Sequence, residues 1–331
     1  MAQATTRPVG VLLAGVGPAT VGQVARVAEQ SGFAGVWAPE DYPERPATVM
    51  SALAIAATER IEVGTGVMSL TTRHPLLTAM DLAALADAAP RRFVAGLGLG
   101  LPLTLASIGC LPDRPVTAVR ERLGVVSALL RGDEVTFDDG QVRLTASRLA
   151  HAPAVVPPLA VGGLGPRMID LVGELGEVLI VSSLGSEAYL RWAVERANRA
   201  ADAHGRRRPR VIAFAWFHLG DTDAAGRDAL RPNVAGALGA LGAGPLTDAD
   251  GWSDELTRLR QGDGPLIDRL PEVWVDEMVV AGTAQRCARG IERRLDAGAD
   301  QVVLCPMGAD PVAQLQRTAR EVFPLLGTSP A

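Results

Sequence analysis

Lysine is absent from all 331 residues, and the 32 basic side chains are all arginine. Schiff-base catalysis, pyridoxal-phosphate attachment and a P-loop lysine are therefore excluded. Cysteine is scarce. Cys110, Cys287 and Cys305 form an odd, widely spaced set, which points away from a disulfide framework and toward a reduced, cytoplasmic protein. Long apolar runs are missing as well. The run over 9–16 is short and broken by two glycines, with Arg7 as its one early charge. It is too short for a membrane span and too weak for a signal peptide, so it reads as a first strand. A basic surface is also lacking: the net charge is -5, against a nucleic-acid binder. The single basic run, Arg206, Arg207 and Arg208, precedes Pro209 and reads as a solvated helix end. His74, His151, His204 and His218 have no second ligand at metal spacing, so no metal site is expected. No GxSxG elbow supports a serine hydrolase.

What is present is alternation. At 48% hydrophobic and 21% charged residues, the chain can bury a large core. Short β-branched runs end in glycine or polar residues and alternate with stretches of helical period. The runs are VGVLLAG (9–15), GVWAPE (35–40), IEVGTGVMS (61–69), FVAGLGLG (93–100), PLAVGGLG (158–165), EVLIVSS (177–183), RVIAFAWFHLG (210–220) and QVVLCPM (301–307). Helices are expected over 19–30, 46–58, 75–88, 115–130, 166–175, 187–204, 224–241 and 311–325, several of them opening with proline in the first turn. Eight such units match a (β/α)8 TIM barrel with insertions, although an open doubly wound sheet can use a similar count. The absence of repeats and linkers predicts one domain over 1–331. Two stretches interrupt the rhythm. Residues 130–157 contain TFDDGQVRL, an Asp-Gly hairpin signal. Residues 241–276 are rich in Gly, Asp and Pro and read as an irregular insertion or lid, followed by a further helix over 283–297 that Thr283 caps.

Several motifs bear on chemistry. GLGLG at Gly96, Gly98 and Gly100 does not have GxGxxG spacing. Pro102, Pro112 and Pro115 are expected to stop a helix from starting directly after it, leaving no helix end there for a pyrophosphate. Its glycines either relieve barrel crowding or let a cofactor approach the backbone. VGGLGPRM passes from strand to loop to helix, which puts Leu164, Gly165, Arg167 and Met168 at a helix N-terminus. Free N–H groups, the helix dipole and Arg167 make that turn a candidate phosphate site, with a plain tight turn as the alternative. The glycines of VGTGVMSLTTRHP mark either a bulge that a ligand approaches or a barrel-corner kink. Glu40 and Asp41 stand at the end of the second strand, where barrel chemistry takes place. One of them is a candidate acid or base, and charge at a helix start is the alternative. Trp252 and Trp274, with Trp37, are candidate walls of an apolar substrate cavity.

The order of these motifs resembles the bacterial-luciferase-like superfamily of barrel oxidoreductases, and within it the deazaflavin-dependent branch. AEQSGFAGVWAPEDY is similar to that family's second-strand motif, VGTGVMSLTTRHPLLTAMDLAALADAAPRRFVAGLGLG to its third and fourth strands, GGLGPRMIDLVGELGEVLIVSS to its fifth, and VAGTAQRCARGIERRLDAGADQVVL to the approach to its eighth. The resemblance implies a non-proline cis peptide at Gly66–Val67 behind a cofactor ring. It implies cofactor contacts at Glu40, Ser69, Leu99 and Gly100, and a phosphate-binding turn at Leu164, Gly165, Arg167 and Met168. It implies hydride transfer between coenzyme F420 and a small organic substrate, with Asp41 or Glu40 handling the proton and Arg73 and Arg167 serving an anionic tail. An FMN-dependent two-component monooxygenase and a non-catalytic flavin-binding barrel are the alternatives. A homodimer is expected by analogy with relatives. Where the family's sugar-phosphate dehydrogenases carry a histidine and a catalytic glutamate, this chain has Asp41 and Leu101, which argues against that activity.

Overall fold

A computed structural model describes residues 8–40, 42–307 and 310–327. The first three strands are β1 (Val9–Leu12), β2 (Gly35–Ala38) and β3 (Glu62–Thr65), with β4 (Met68–Ser69) continuing the last beyond a break. β5 (Phe93–Gly98) is followed by the antiparallel hairpin of β6 (Val135–Asp138) and β7 (Arg143–Ser147). Then come β8 (Leu159–Gly162), β9 (Val178–Val181), β10 (Arg210–Leu219), β11 (Val280–Gly282) and β12 (Gln301–Pro306). Pairing runs β12-β1-β2-β3-β5-β8-β9-β10 and returns from β10 to β12. All of these pairs are parallel, so eight strands close into a barrel, with β4 and β11 as short additions beside β5 and β10. Closure, which a count of units could not supply, settles the choice against an open sheet. It also explains the composition of the runs. A strand such as VLIV of β9 is buried at every residue, because one face meets the bore and the other meets the helices.

The helices Pro75–Ala88, Pro115–Leu130, Pro166–Leu175 and Pro311–Arg317 all open with proline in the first turn, where its missing N–H costs nothing. Thr283 caps the helix Ala284–Asp296 by accepting from Arg286 N. Four details differ from expectation. A helix, Pro102–Ser107, does begin straight after GLGLG with proline in its first turn, because proline stops helices from within and not at their start. The stretch 241–276 is not irregular: it holds the helices Pro245–Asp248, Ser253–Gln261, Leu266–Arg269 and Glu272–Met278. β11 was absent from the expected elements. The last helix changes to a π turn at Thr318–Val322 and a 3-10 turn at Phe323–Leu325.

Inside the bore, Trp37 packs edge-on to Phe214 at 5.8 Å between ring centres. Gly64 and Gly66 are the complement of that pair. A Cβ at Gly64 would lie 2.3 Å from the Trp37 ring, and one at Gly66 would lie 2.6 Å from Phe214 Cζ. Trp37 has no exposed surface, and its indole Nε1 donates to Gln301 Oε1 at 3.3 Å. It is therefore a core residue beneath the barrel mouth and not a cavity wall, which corrects the sequence-based expectation. The hairpin of β6 and β7 is fastened by Arg122, which is 2% exposed. Its Nε donates to Asp139 Oδ2 at 2.9 Å, Nη2 to Gln141 Oε1 at 2.9 Å and Nη1 to the Leu70 carbonyl at 3.4 Å.

Candidate active site

The C-terminal ends of β2, β3/β4, β5 and β8 meet at one rim, the face on which (β/α)8 barrels carry their chemistry. Between β3 and β4 the Gly66–Val67 peptide bond is cis, as the resemblance implies. Both residues are half-buried while their neighbours on either side are buried. Val67 reaches sideways over the adjacent strands. A Cβ at Gly98 would lie 3.0 Å from Val67 Cγ2, and one at Gly162 would lie 2.8 Å from Val67 Cγ1. A Cβ at Gly96 would lie only 1.9 Å from the Thr65 carbonyl oxygen. Gly96, Gly98 and Gly162 thus make room for the protein's own bulge, the crowding explanation for GLGLG. Gly100 is different: its φ of +92° is a left-handed conformation that glycine adopts without penalty.

Glu40, just past β2, is built into this bulge. Its Oε2 accepts from the Tyr42 phenol at 2.8 Å and from Ser69 N at 3.3 Å, while Oε1 lies 3.7 Å from Arg73 Nη1. The Glu40 side chain is 3% exposed. Ser69 Oγ donates in turn to the Leu99 carbonyl at 2.5 Å, and a Cβ at Gly100 would sit 3.3 Å from Ser69 Cβ. The structure therefore gathers Glu40, Gly66, Val67, Ser69, Leu99 and Gly100 into one patch. Asp41 lies outside the described residues. Tyr42 and Thr72 were missed in the sequence. The Tyr42 phenol also pairs with Thr72 Oγ1 at 2.8 Å. Burial, helped by the neighbouring Glu40 carboxylate, pushes its pKa well above the usual phenol range despite the Thr72 hydrogen bond, so it stays protonated at neutral pH. Arg73 is also paired with Asp81 at 3.2 Å, so its charge is largely spoken for.

The second group sits beside the first. β8 ends at Gly162, and Gly165 is the residue ahead of the helix Pro166–Leu175. Met168 N and Ile169 N both donate to the Gly165 carbonyl, at 3.0 and 3.1 Å. Pro166 has no N–H. Among the described residues, the N–H groups of Gly165 and Arg167 find no backbone acceptor, and Arg167 is exposed without an ion pair. A Cβ at Gly165 would meet nothing within 4 Å, so the turn opens onto free space. Leu164 is half-buried and Met168 is buried. Met168 packs under the turn, where a Cβ at Gly163 would touch it at 2.6 Å.

The floor of the mouth is apolar. Ala14, Val67, Trp216 and Met307 are partly buried and packed on the bore cluster that includes Trp37 and Phe214. Trp216 of β10 is the aromatic residue that the mouth presents, and its place in FAWFH gave no clue to which of four consecutive apolar or aromatic positions faces the opening. Trp252 and Trp274 stack on each other at 4.9 Å and 10°. Trp274 is 2% exposed, so within that pair only Trp252 keeps open surface. Their segment is docked on the barrel by Ser186 Oγ, which donates to Asp250 Oδ2 at 2.5 Å. Burial and the nearby Glu277 carboxylate raise the Asp250 pKa against the lowering effect of the Ser186 bond. Among the described residues no three His, Cys, Asp or Glu side chains gather as a metal site, and no helix is long and apolar enough to cross a membrane.

The family model of luciferase-like monooxygenases matches residues 3–301. The chain belongs to that family. Among its relatives in the family, a 5,10-methylenetetrahydromethanopterin reductase of Methanolobus tindarius is 27% identical over 315 residues, covering 92% of this chain and 95% of the relative. An F420-dependent glucose-6-phosphate dehydrogenase of Beutenbergia cavernae is 28% identical over 318 residues, covering 91% of each. In three dimensions the chain superposes on the coenzyme F420-dependent tetrahydromethanopterin reductase of Methanopyrus kandleri with a TM-score of 0.82 at 25% identity, covering 97% of this chain and 99% of the other.

Proposed function

We propose that this luciferase-like protein is a coenzyme F420-dependent oxidoreductase acting on a small organic substrate. One observation carries the reading: an apolar floor under a bulged third strand stands beside an open helix start where, among the described residues, the Gly165 and Arg167 N–H groups have no backbone acceptor. Relatives aligned over nine-tenths of the chain and named for F420 dependence support it. The residues present fit such a group. Ala14, Val67, Trp216 and Met307 offer an apolar bed for a tricyclic ring, and the Gly165 and Arg167 amides with the Arg167 guanidinium suit a phosphate. Bound there, the reduced deazaflavin supplies a hydride to an electron-poor C=C, C=N or C=O carbon, or accepts one in the reverse direction.

The chain's own residues then have distinct tasks. Val67 and Trp216 exclude water from one face of the ring. Glu40 holds Ser69 and Arg73, and through them the bulge and the Leu99 carbonyl. Because the Glu40 oxygens are already taken by Tyr42, Ser69 and Arg73, Asp41 is the carboxylate left to exchange a proton with substrate. Leu164 and Met168 line the phosphate turn, and within the 241–276 segment Trp252 faces the substrate side with Trp274 stacked behind it. A homodimer is part of the same reading: the helices Ala47–Ala57 and Pro75–Ala88 are apolar around most of their circumference and expose Val49, Leu53, Leu77 and Met80, which suits burial on a second face. Cys110, Cys287 and Cys305, none of them in a disulfide among the described residues, suit a cytoplasmic location.

Fluorescence titration of the purified protein with coenzyme F420 and separately with FMN tests this. F420 is expected to bind more tightly; tighter binding of FMN would overturn the reading in favour of a two-component monooxygenase. Asp41→Asn should retain F420 affinity while lowering turnover at least about tenfold. Full turnover would remove Asp41 from the mechanism, and tight binding without any turnover in the parent protein would mark a non-catalytic barrel.

A further inference from the structure

The open turn after β8 is held from behind by the helix Glu187–Ala203. Tyr189 in that helix is wholly buried, and its phenol donates to the Leu164 carbonyl at 2.9 Å. Burial pushes the Tyr189 pKa up, so the hydroxyl remains a donor at any working pH. Two turns further on, Arg196 Nε donates to the Pro166 carbonyl at 2.9 Å and Nη2 pairs with Asp170 Oδ2 at 2.6 Å.

A trans peptide unit is planar, and its C=O and N–H point in opposite directions. The unit whose carbonyl Tyr189 grips is the one that carries the Gly165 N–H. The unit gripped by Arg196 carries the Arg167 N–H. Both free amides of the turn are therefore aimed outward by donors on the neighbouring helix. Helix geometry alone would orient Arg167 N–H, since its peptide unit already lies in the first turn. Gly165 precedes the helix and has no such constraint, so Tyr189 matters more. Tyrosine is also costlier than phenylalanine at a buried site unless its hydroxyl is used. The placement of Tyr189 is set in turn by Ser186, whose hydroxyl accepts from Tyr189 N at 3.1 Å.

Resting on the F420 reading above, we propose that Tyr189 is a positioning residue of the phosphate turn, aiming the Gly165 amide at the cofactor's phosphate, with Arg196 supporting the Arg167 amide from the same side. The test compares two ligands by fluorescence titration: coenzyme F420 and its chromophore lacking the phosphate-bearing tail. Tyr189→Phe fills the same volume and should weaken F420 binding about fivefold to tenfold while leaving the tail-less chromophore within about twofold. Arg196→Met should shift the same ratio in the same direction by a smaller factor. Equal loss for both ligands, or no change for either, overturns the positioning role while F420 binding itself stands. A parent protein that binds the tail-less chromophore as tightly as F420 overturns the phosphate turn, and this inference with it.

Discussion

Arg122 links the inserted hairpin to the site, and its removal should be felt in both. In Arg122→Met, a 2% exposed guanidinium leaves Asp139 and the Leu70 carbonyl without their partner. Removing one member of a buried pair costs roughly 3–5 kcal/mol. Asp139 keeps hydrogen bonds from the N–H groups of Gln141 and Val142, at 2.9 and 2.7 Å, so the low end applies, about 3 kcal/mol. In a chain of this length that corresponds to a drop in Tm of about 4 °C. Thermal and urea unfolding followed by tryptophan fluorescence measure it, and Arg122→Met/Asp139→Asn should recover at least about 1 kcal/mol of the single-mutant loss. The pair also predicts a pH signature. Burial raises the Asp139 pKa, but the Arg122 bond and the two N–H donors outweigh it and leave the carboxyl below its ordinary value. The stabilisation is therefore complete above about pH 4, the ordinary aspartate value, and is lost as pH falls through the lower folded value. The gap between parent and variant should narrow only there. A loss under 1 kcal/mol at neutral pH, or a double variant as unstable as the sum of its singles, would refute the argument.

Three further outcomes follow from the rim. Gly96→Ala would force a Cβ to within 1.9 Å of the Thr65 carbonyl, across the two 2.8 Å bonds that Thr65 Oγ1 makes with Gly96. It should cost about 3 kcal/mol and weaken F420 binding, and a Tm within about 2 °C of the parent would contradict the packing described. Gly165→Leu enters open space, so its Tm should match the parent while F420 affinity falls at least about tenfold; unchanged affinity in a titration would remove the turn from the site. Asp250→Asn keeps an acceptor for Ser186 and removes a carboxylate whose folded pKa is raised. A raised acid is penalised in the folded state as pH climbs above its unfolded value, about 3.9. The variant should therefore melt higher at pH 7 than the parent, with the advantage disappearing below about pH 4 in a pH series of melting curves.

All eight barrel strands were readable as short runs, because most of their residues are buried on both faces and the runs are therefore largely apolar. The hairpin was readable from Asp138, Asp139 and Gly140, whose turn chemistry is local. Ser253–Gln261 also carries a local signal: Asp254 and Glu255 occupy its first turn and Arg258 and Arg260 its last, a dipole-matched charge order. Other features are not local at all. Burial of Trp37 depends on Gly64 and Gly66, 27 and 29 positions away, leaving space for the rings. The partnership of Arg122 with Asp139 and Leu70, and of Tyr189 with Leu164, arises only when the barrel brings distant helices and turns together. Glu40 was found by position at a strand end, yet its part in bracing the bulge became visible only with Ser69 and Arg73 beside it.

The packing of Trp37 and Phe214 against Gly64 and Gly66 carries an evolutionary consequence. Neither aromatic ring can be traded for a smaller residue without opening a void, and neither glycine can acquire a side chain while the rings remain. Substitutions at these four sites should be tolerated only in matched sets, so that the bore behaves as a single inherited unit while the loops above it diverge toward new substrates.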